Sequence, residues 1–255
     1  MQLARILLLA LPLLGFAAEH PAQLAANERG LVERMAKAYA WRLIEPTSTD
    51  AKNEFSASSK RFEQQLAQLT ESSKKDAELS DNFSLLNQQW SDFQALTKPT
   101  PTQAQAKQVL EASEEMAYIA QKGGQLLAAK LDAPTQASVL AESVATLAQR
   151  LAKNYLLQSA GLSVPFLAKD LAAARSEFEA TSRQLKALPL NSASLKGQID
   201  LLDSQWFFFQ QALDALAANR QDLSLRRNVV TTSNRIYEVA TELAVRYQRL
   251  TVAAR

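Results

Sequence analysis

The 255-residue sequence contains no cysteine, one histidine, six glycines and eight prolines. Without cysteine the chain can form no disulfide, thiolate metal site, c-type haem attachment or lipoprotein anchor. The shortage of glycine and proline leaves little material for tight turns, while the many alanine, leucine and glutamine residues favour long helices. The composition therefore predicts an all-α fold.

Catalytic and nucleic-acid functions lack the residues that they need. The only histidine, His20, lies at the start of the predicted mature chain, where we expect neither a histidine-based triad nor a histidine metal cluster to assemble. No glycine-rich phosphate loop follows a strand, and the acidic pair Glu114-Glu115 lies in a heavily charged helical stretch where solvation is expected. The 28 Lys and Arg residues nearly balance the 26 Asp and Glu residues, so the basic excess typical of nucleic-acid binding is absent. We expect no enzyme, no cofactor, no metal site and no nucleic-acid partner.

The first residues have the pattern of an export signal. Arg5 supplies the positive start, residues 6–14 form a short apolar run, and Gly15-Phe16-Ala17-Ala18 offers small residues for cleavage after Ala17. The apolar run is short for a permanent anchor, and no later run approaches ~20 residues. We predict a signal peptide at 1–17 and a periplasmic protein without a membrane span; an uncleaved anchor or a core helix is the alternative.

The remainder of the chain is predicted to be an internal duplication. The run Arg34 to Tyr39 recurs as Arg150 to Tyr155, an offset of 116 residues. The same offset carries Phe62 onto Phe178 and Trp90 onto Trp206, together with Leu69 onto Leu185 and Leu85-Leu86 onto Leu201-Leu202. One constant offset over four segments is hard to obtain by chance. We define residues 18–131 as the first copy and residues 132–255 as the second copy.

Within each copy the apolar residues recur every three or four positions, as in helices that pack in a bundle. Proline, glycine and serine clusters interrupt this periodicity, although the boundary near residues 74–80 has neither glycine nor proline. Gly123-Gly124 predicts a kink or local weakness in the fourth helix. Because short connections favour antiparallel neighbours, we predict two tandem antiparallel four-helix up-and-down bundles, with helices near 20–44, 51–75, 80–97, 102–131, 134–160, 165–187, 192–218 and 225–253.

The opening helix of each copy carries a second stripe of mostly small residues. Small residues at heptad spacing let another helix approach closely, so this face is expected to contact something besides its own bundle; alanine's helix propensity alone is the alternative. Arg29 interrupts the stripe, and its guanidinium must pair with Glu28 or Glu33, reach solvent or hold an anion. The stripe consists of Ala25, Arg29, Val32, Ala36 and Tyr39 in the first copy, and of Ala141, Ala145, Ala148, Ala152 and Tyr155 in the second.

The segment from Asn27 to Tyr39 resembles the first helix of the PilJ-type sensor domain. That domain lies at the N-terminus of type IV pilus chemotaxis transducers and is related to the periplasmic domain of the nitrate/nitrite sensor kinases NarX and NarQ. The resemblance rests on the repeat-motif residues Arg34, Lys37 and Tyr39, with Arg150, Lys153 and Tyr155 in the second copy. It implies an antiparallel four-helix bundle, and in the nitrate sensors the position of Arg29 binds the anion across a two-fold axis. Ala145 is the counterpart of Arg29 in the second copy.

The resemblance implies a non-enzymatic, chemotaxis-transducer-like sensor or ligand-binding protein of the periplasm. Its ligand would be a small anion such as nitrate or nitrite, held by Arg29 with help from Arg34 or Lys37. The two copies would pack as a pseudo-dimer within one chain. Because they occupy the chain, the signal would pass to a separate envelope protein. The alternative is an interaction or scaffold protein of the cell envelope that binds no small ligand.

Overall fold

The computed structural model describes residues 20–128 and 131–253, and these ranges form eight helices without a strand. The all-α prediction is therefore confirmed. The predicted signal peptide, residues 1–17, lies outside the described residues. The helices are α1 (Pro21–Ile44), α2 (Thr49–Ser73), α3 (Ala77–Thr97), α4 (Gln103–Leu127), α5 (Ala133–Ser159), α6 (Pro165–Lys186), α7 (Ala193–Ala218) and α8 (Leu223–Ala253).

Most helices begin at a side chain that caps the first turn. A capping oxygen or nitrogen accepts a hydrogen bond from a backbone N–H that the helix itself leaves unpaired. Asp76 does so for α3 and explains why a helix starts there without glycine or proline nearby. His20 caps α1 through Nδ1, so the only histidine has a structural partner at the start of that helix. The other capping residues are Ser48, Thr102, Asp132, Ser192 and Asp222.

The connection after α5 depends on one glycine. Gly161 has φ +93°, a left-handed conformation that costs glycine little and most other residues more. The N–H of Leu162 donates to the carbonyl of Leu157 at 3.0 Å across this turn, which closes the end of the helix. The chain then leaves α5 and enters α6 at Pro165, whose ring is compatible with the first turn of a helix.

Helices α1 and α5 form the centre of the molecule. Helix α1 packs against α2, α4 and α5, and helix α5 packs against α1, α6 and α8. One apolar core is built mainly from α1 to α4 and a second from α5 to α8. None of the helices in the described ranges is long and apolar enough to cross a membrane.

Helices α1 and α5 lie side by side in the same direction. Side chains that meet between them come in pairs whose numbers rise together: Asn27 with Glu142, and Glu33 with Lys153. Between these pairs, a Cβ on Gly30 would stand 3.0 Å from the hydroxyl oxygen of Thr146. Gly30 and Thr146 are themselves related by the offset of 116 residues. A contact between equivalent positions is what a two-fold related interface produces at its axis.

The same aromatic contact occurs in both copies at the predicted offset. The ring centroids of Phe62 and Trp90 are 4.8 Å apart in the first copy, and those of Phe178 and Trp206 are 3.9 Å apart in the second. The environments differ in one respect, since Trp90 is buried and Trp206 is only partly buried. The same contacts in both copies support the duplication that the sequence predicts.

For the stripe of small residues, one contact is observed directly, and it lies within the stripe's own copy. Ala25 lies against Gly124 of α4, within its own copy, at 3.9 Å from a Cβ built on that glycine. The face of α1 that meets α5 is instead the side that carries Gly30 and Glu33. The alanines of α5 likewise belong to the apolar core of the second copy. Close approach of α1 and α5 is thus achieved by a face next to the stripe.

Helix α4 continues through Gly123-Gly124 up to Leu127. The two glycines are used differently. A Cβ on Gly123 would stand 2.8 Å from the ring of Phe83 on α3, whereas a Cβ on Gly124 would meet only ordinary contact distances. Gly123 therefore allows α4 to approach α3.

Candidate functional site

The central helices carry an unusual number of buried ionisable side chains. Glu28, Glu33 and Lys37 on α1, and Glu142 and Lys153 on α5, are each at most 2% exposed. Burial of a charge in protein costs free energy unless other groups pair with it. Groups of this kind mark candidate functional sites when they lie next to a cleft. Glu33, Lys37 and Lys153 belong to two clusters that differ in how completely their charges are paired.

The first cluster, called the Arg34 cluster, consists of Arg34, Lys37, Glu54, Ser233 and Asn234. The ammonium of Lys37 lies 2.8 Å from Oε1 of Glu54, and it donates to Oδ1 of Asn234 at 2.5 Å and to the hydroxyl of Ser233 at 3.5 Å. Asn234 in turn donates to Oε2 of Glu54 at 2.7 Å. The three donors of Lys37 are therefore matched by three acceptors, two of which come from α8 of the other copy.

Burial weakens the charge on this lysine. It lowers the pKa of Lys37 to about 8, although Glu54 acts in the opposite direction. Burial also opposes ionisation of Glu54, but Lys37 and Arg34 outweigh it and hold the pKa of that carboxyl below its usual range. The cluster thus contains an ionised Glu54 and a lysine whose charge is only weakly stabilised near neutral pH.

Arg34 is the least satisfied member of the cluster. Its Nε lies 3.5 Å from Oε1 of Glu54, and the guanidinium stands over the ring of Tyr237 at 4.7 Å from the centroid. Among the residues that the structure describes, Arg34 donates no hydrogen bond, and its Nε is buried without an acceptor. A guanidinium carries five N–H donors in a fixed fork that suits a carboxylate or another planar anion.

A groove of about 530 Å³ opens onto this guanidinium. Helices α2 and α8 form its walls and α1 forms its floor. Arg34, Trp41 and Glu54 are buried or partly buried inside the groove, while Asp50, Arg235 and Glu238 are exposed at its rim. The groove therefore combines a partly buried cation, an aromatic side chain and a rim of mixed charge.

The second cluster, called the Arg150 cluster, consists of Glu33, Glu114, Arg150, Lys153, Asn154 and Asp170. Lys153 lies 2.7 Å from Glu33 and also pairs with Glu114. Arg150 pairs with both oxygens of Asp170 and lies 3.3 Å from Glu114. Asn154 donates to Asp170 at 2.5 Å. Glu114 was expected to be solvated as part of an acidic helical face; it is instead an ion-pair partner of two cations, because α4 brings it against α5.

In this cluster each cation pairs with two carboxylates, and this pairing sets the direction of most of the pKa shifts. Burial disfavours the charge on Lys153, but Glu33 and Glu114 outweigh it and raise its pKa. Burial likewise opposes ionisation of Glu114, but the charges of Lys153 and Arg150 outweigh this effect and lower the pKa of Glu114. For Glu33, burial is the larger effect and its pKa is raised despite Lys153.

The two clusters occupy equivalent positions in the two copies. The offset of 116 residues carries Arg34 onto Arg150, Lys37 onto Lys153 and Glu54 onto Asp170. It also carries Glu114 onto Val230, which lines the groove beside Arg34, and Glu33 onto Gln149. As a result, two cations pair with three carboxylates in the Arg150 cluster, whereas the two cations of the Arg34 cluster pair with a single carboxylate of the described residues, that of Glu54.

Arg29, the residue that the resemblance assigns to anion binding, lies apart from the Arg34 cluster. It contributes to the electrostatic environment of Glu114, whereas Arg34 and Lys37 surround Glu54. The predicted ion pair of Arg29 with Glu28 or Glu33 does not form: Glu33 pairs with Lys153, and the Arg29 Nε is buried without an acceptor among the described residues. The structure thus brings Arg34 and Lys37 together and leaves Arg29 at the edge of the Arg150 cluster.

The tyrosines of the repeat motif have structural surroundings. Tyr39 is fully buried in the first apolar core, and its hydroxyl accepts from the backbone N–H of Thr102 at 3.4 Å. Tyr155 is partly buried and packs against the second core. Neither lines the groove beside Arg34.

A second groove of about 600 Å³ lies between α2 and α3 and is lined mainly by uncharged side chains, including Phe55 and Trp90. Its one charged lining residue, Lys98, is exposed. No group of three or more potential metal ligands occurs among the residues that the structure describes. The charged groove over α1 is therefore the stronger candidate for a binding site.

Comparison of the chain with known protein families, with characterised proteins and with solved structures gives no match. The described fold and site define the class: an all-helical protein with two equivalent buried ion clusters, one of which borders an open groove. The resemblance to the PilJ-type domain stays a prediction.

Sequence reasoning found the two cations of each cluster but missed the carboxylates that meet them. Glu54 and Asp170 could have been found in the sequence, because they are separated by 116 residues, the same offset that separates Arg34 from Arg150. No sequence pattern identifies Glu33 and Glu114, because their partner Lys153 is on another helix far away in the sequence.

Proposed function

We propose that this protein is a non-enzymatic, sensor-like ligand-binding protein of the periplasm, and that a small anion binds in the groove at Arg34. The observation that carries the proposal is the contrast between two equivalent arginines. Arg150 is fully engaged by Asp170 and Glu114, whereas Arg34 faces an open groove without a hydrogen bond to the described residues. An anion would supply the acceptors that Arg34 lacks.

The proposed architecture is a pair of tandem antiparallel four-helix bundles that pack as a pseudo-dimer within one chain. It is supported by the two apolar cores, by the aromatic contacts that recur at the offset of 116 residues, and by the contact of Gly30 with Thr146. In this arrangement α1 and α5 form the interface that two separate subunits would otherwise provide.

The position of the groove offers a way to convert binding into a signal. Its walls belong to different copies, since α2 is part of the first and α8 is part of the second. A ligand that contacts both walls favours the arrangement in which they are close, and it shifts the population toward that arrangement by its difference in affinity. The change would be read by a separate envelope protein.

Thermal unfolding in the presence of small anions tests this proposal. A ligand that binds only the folded state raises the unfolding midpoint, and the increase grows with the logarithm of the ligand concentration once this exceeds the dissociation constant. We expect nitrate, nitrite or acetate at millimolar concentration to raise the midpoint of the wild type and of Arg29→Ala. Arg34→Gln should abolish the increase while it retains the helical circular-dichroism spectrum. Loss of the increase in Arg29→Ala but not in Arg34→Gln would place the anion at Arg29 instead.

An interaction or scaffold protein without a small ligand is the second candidate. It is favoured by Phe207 and Phe208, which are 57% and 53% exposed on α7. Their counterparts in the first copy are Ser91 and Asp92, so this aromatic pair occurs in one copy only. No midpoint increase with any anion in the wild type would favour this candidate and contradict the sensor proposal.

A further inference from the structure

The Arg150 cluster shows what chemistry the Arg34 cluster lacks. In the second copy, the carboxylate of Glu114 reaches both Arg150 and Lys153. In the first copy, Val230 stands at the position of Glu114, is buried, and lines the groove beside Arg34. The protein's own second copy thus places a carboxylate where the first copy has an apolar side chain and open space.

The rim of the groove restricts the charge that a ligand can carry. Three carboxylates line the groove, those of Asp50, Glu54 and Glu238, against the guanidinium groups of Arg34 and Arg235. Glu54 is engaged by Lys37 and Asn234, whereas Asp50 and Glu238 form no ion pair with the described residues and are exposed. A ligand with several negative charges would meet repulsion at this rim, and a cationic group would be attracted to it.

From these two observations, and resting on the proposed function, we propose that the ligand is a small zwitterionic carboxylate of the α-amino acid type. Its carboxylate binds the guanidinium of Arg34, at the place that Glu114 takes in the second copy. Its ammonium group faces Glu238 at the rim. Trp41 and Val230 provide apolar surface for a small side chain.

Isothermal titration calorimetry with three matched probes tests the inference. L-Alanine has both charged groups, propionate lacks the ammonium, and ethylammonium lacks the carboxylate. We expect L-alanine to bind roughly threefold to fivefold more tightly than propionate, because solvent screens an ion pair with an exposed carboxylate. Ethylammonium should give no heat, since it offers nothing to Arg34.

Two variants assign the two ends of the ligand. Glu238→Gln, at an exposed position, should reduce the affinity for L-alanine and leave that for propionate unchanged. Val230→Glu places the carboxylate of the second copy into the groove and should abolish binding of both. Because Val230 is buried, Arg34→Gln provides the same test of the carboxylate end without a change in the apolar core. Circular dichroism checks that each variant is folded.

The outcomes separate the inference from the proposed function. Equal affinities for L-alanine and propionate, both lost in Arg34→Gln, would overturn the zwitterion and leave the anion site in place. Binding of nitrate with no heat from L-alanine or propionate would overturn the claim that the ligand is a carboxylate. No heat from any of these probes would overturn the proposed function itself. Binding of L-alanine that persists in Arg34→Gln would place the site elsewhere and overturn both.

Discussion

At the scale of single residues, the notable feature is that carboxyl groups are buried with different degrees of compensation. Glu54 is ionised beside Lys37, whereas Glu28 forms no ion pair with the residues that the structure describes. One oxygen of Glu28 lies 2.9 Å from the side-chain amide of Gln65, and the other is buried without a hydrogen-bond partner among the described residues. Burial raises the pKa of Glu28 well above its ordinary value, and the more distant Arg61 offsets this only in part.

Glu28→Gln should therefore stabilise the fold at neutral pH. Because the folded-state pKa is raised, the native protein binds more protons than the unfolded chain above pH ~4.3, and stability falls as the pH rises through that window. Glutamine has nearly the same shape and no charge, so the variant lacks this loss. Urea unfolding of both proteins between pH 4 and pH 8 should show a stability difference that favours the variant and grows with pH. A difference that stays constant over this range would contradict the buried assignment of Glu28.

At the scale of elements, local signals determine where the helices lie, but close approach between helices depends on individual positions. The adjacent glycines of α4 illustrate this. A Cβ at Gly123 would meet Phe83 at 2.8 Å and the side-chain nitrogen of Asn82 at 2.7 Å, whereas a Cβ at Gly124 has its nearest neighbour, the Cβ of Ala25, at 3.9 Å. The sequence alone gives no reason to distinguish them.

Opposite effects on stability are expected for alanine at these two glycines. Gly123→Ala should destabilise the protein by about 1–3 kcal/mol, because the buried ring of Phe83 has to move. Gly124→Ala should stabilise it by roughly 0.5–1 kcal/mol, since alanine restricts the unfolded chain and favours the helix. Chemical denaturation of the two variants measures both effects, and each serves as the control for the other. Equal effects of the two substitutions would mean that α3 and α4 are not in this close contact.

At the scale of the whole molecule, the two copies are joined by buried ion pairs as well as by apolar contacts. Lys153 of α5 reaches Glu33 of α1 and Glu114 of α4, so one lysine of the second copy neutralises two carboxylates of the first. Lys37 of α1 reaches across in the other direction, to Ser233 and Asn234 of α8. The pKa of the two lysines shifts in opposite directions. Neighbouring carboxylates raise the pKa of Lys153, whereas burial lowers that of Lys37 to about 8.

Methionine in place of each lysine should reveal this difference. Lys153→Met leaves two carboxylates without their shared cation and should cost about 3–5 kcal/mol, the usual penalty for breaking a buried pair. Lys37→Met removes a charge that burial already disfavours and leaves Glu54 with Arg34 and Asn234, so it should cost clearly less. Urea unfolding at pH 7 gives both values. An equal or larger cost for Lys37→Met would contradict the assignment of Lys153 as the main ionic contact between the copies.

Much of the fold could be predicted from the sequence, because its signals are local. The spacing of apolar residues, the capping side chains and the breakers act within a few positions of the helix ends that they determine, and the predicted boundaries agree with those observed to within a few residues, as at 20–44 against Pro21–Ile44. The duplication could also be predicted, because the offset of 116 residues is a property of the sequence. The structure supports it with the same aromatic contact at that offset in both copies.

The pairing of charges was decided by the tertiary structure alone. In the sequence, Glu33 and Glu114 are ordinary acids on charged helices, and Arg29 looks like the more prominent cation. Only when α4 and α5 pack against α1 does Lys153 meet both acids, while Arg34 is left beside a groove. An ion pair depends on a separation of a few ångströms, and the local pattern of either helix carries no information about which distant side chain will occupy that space.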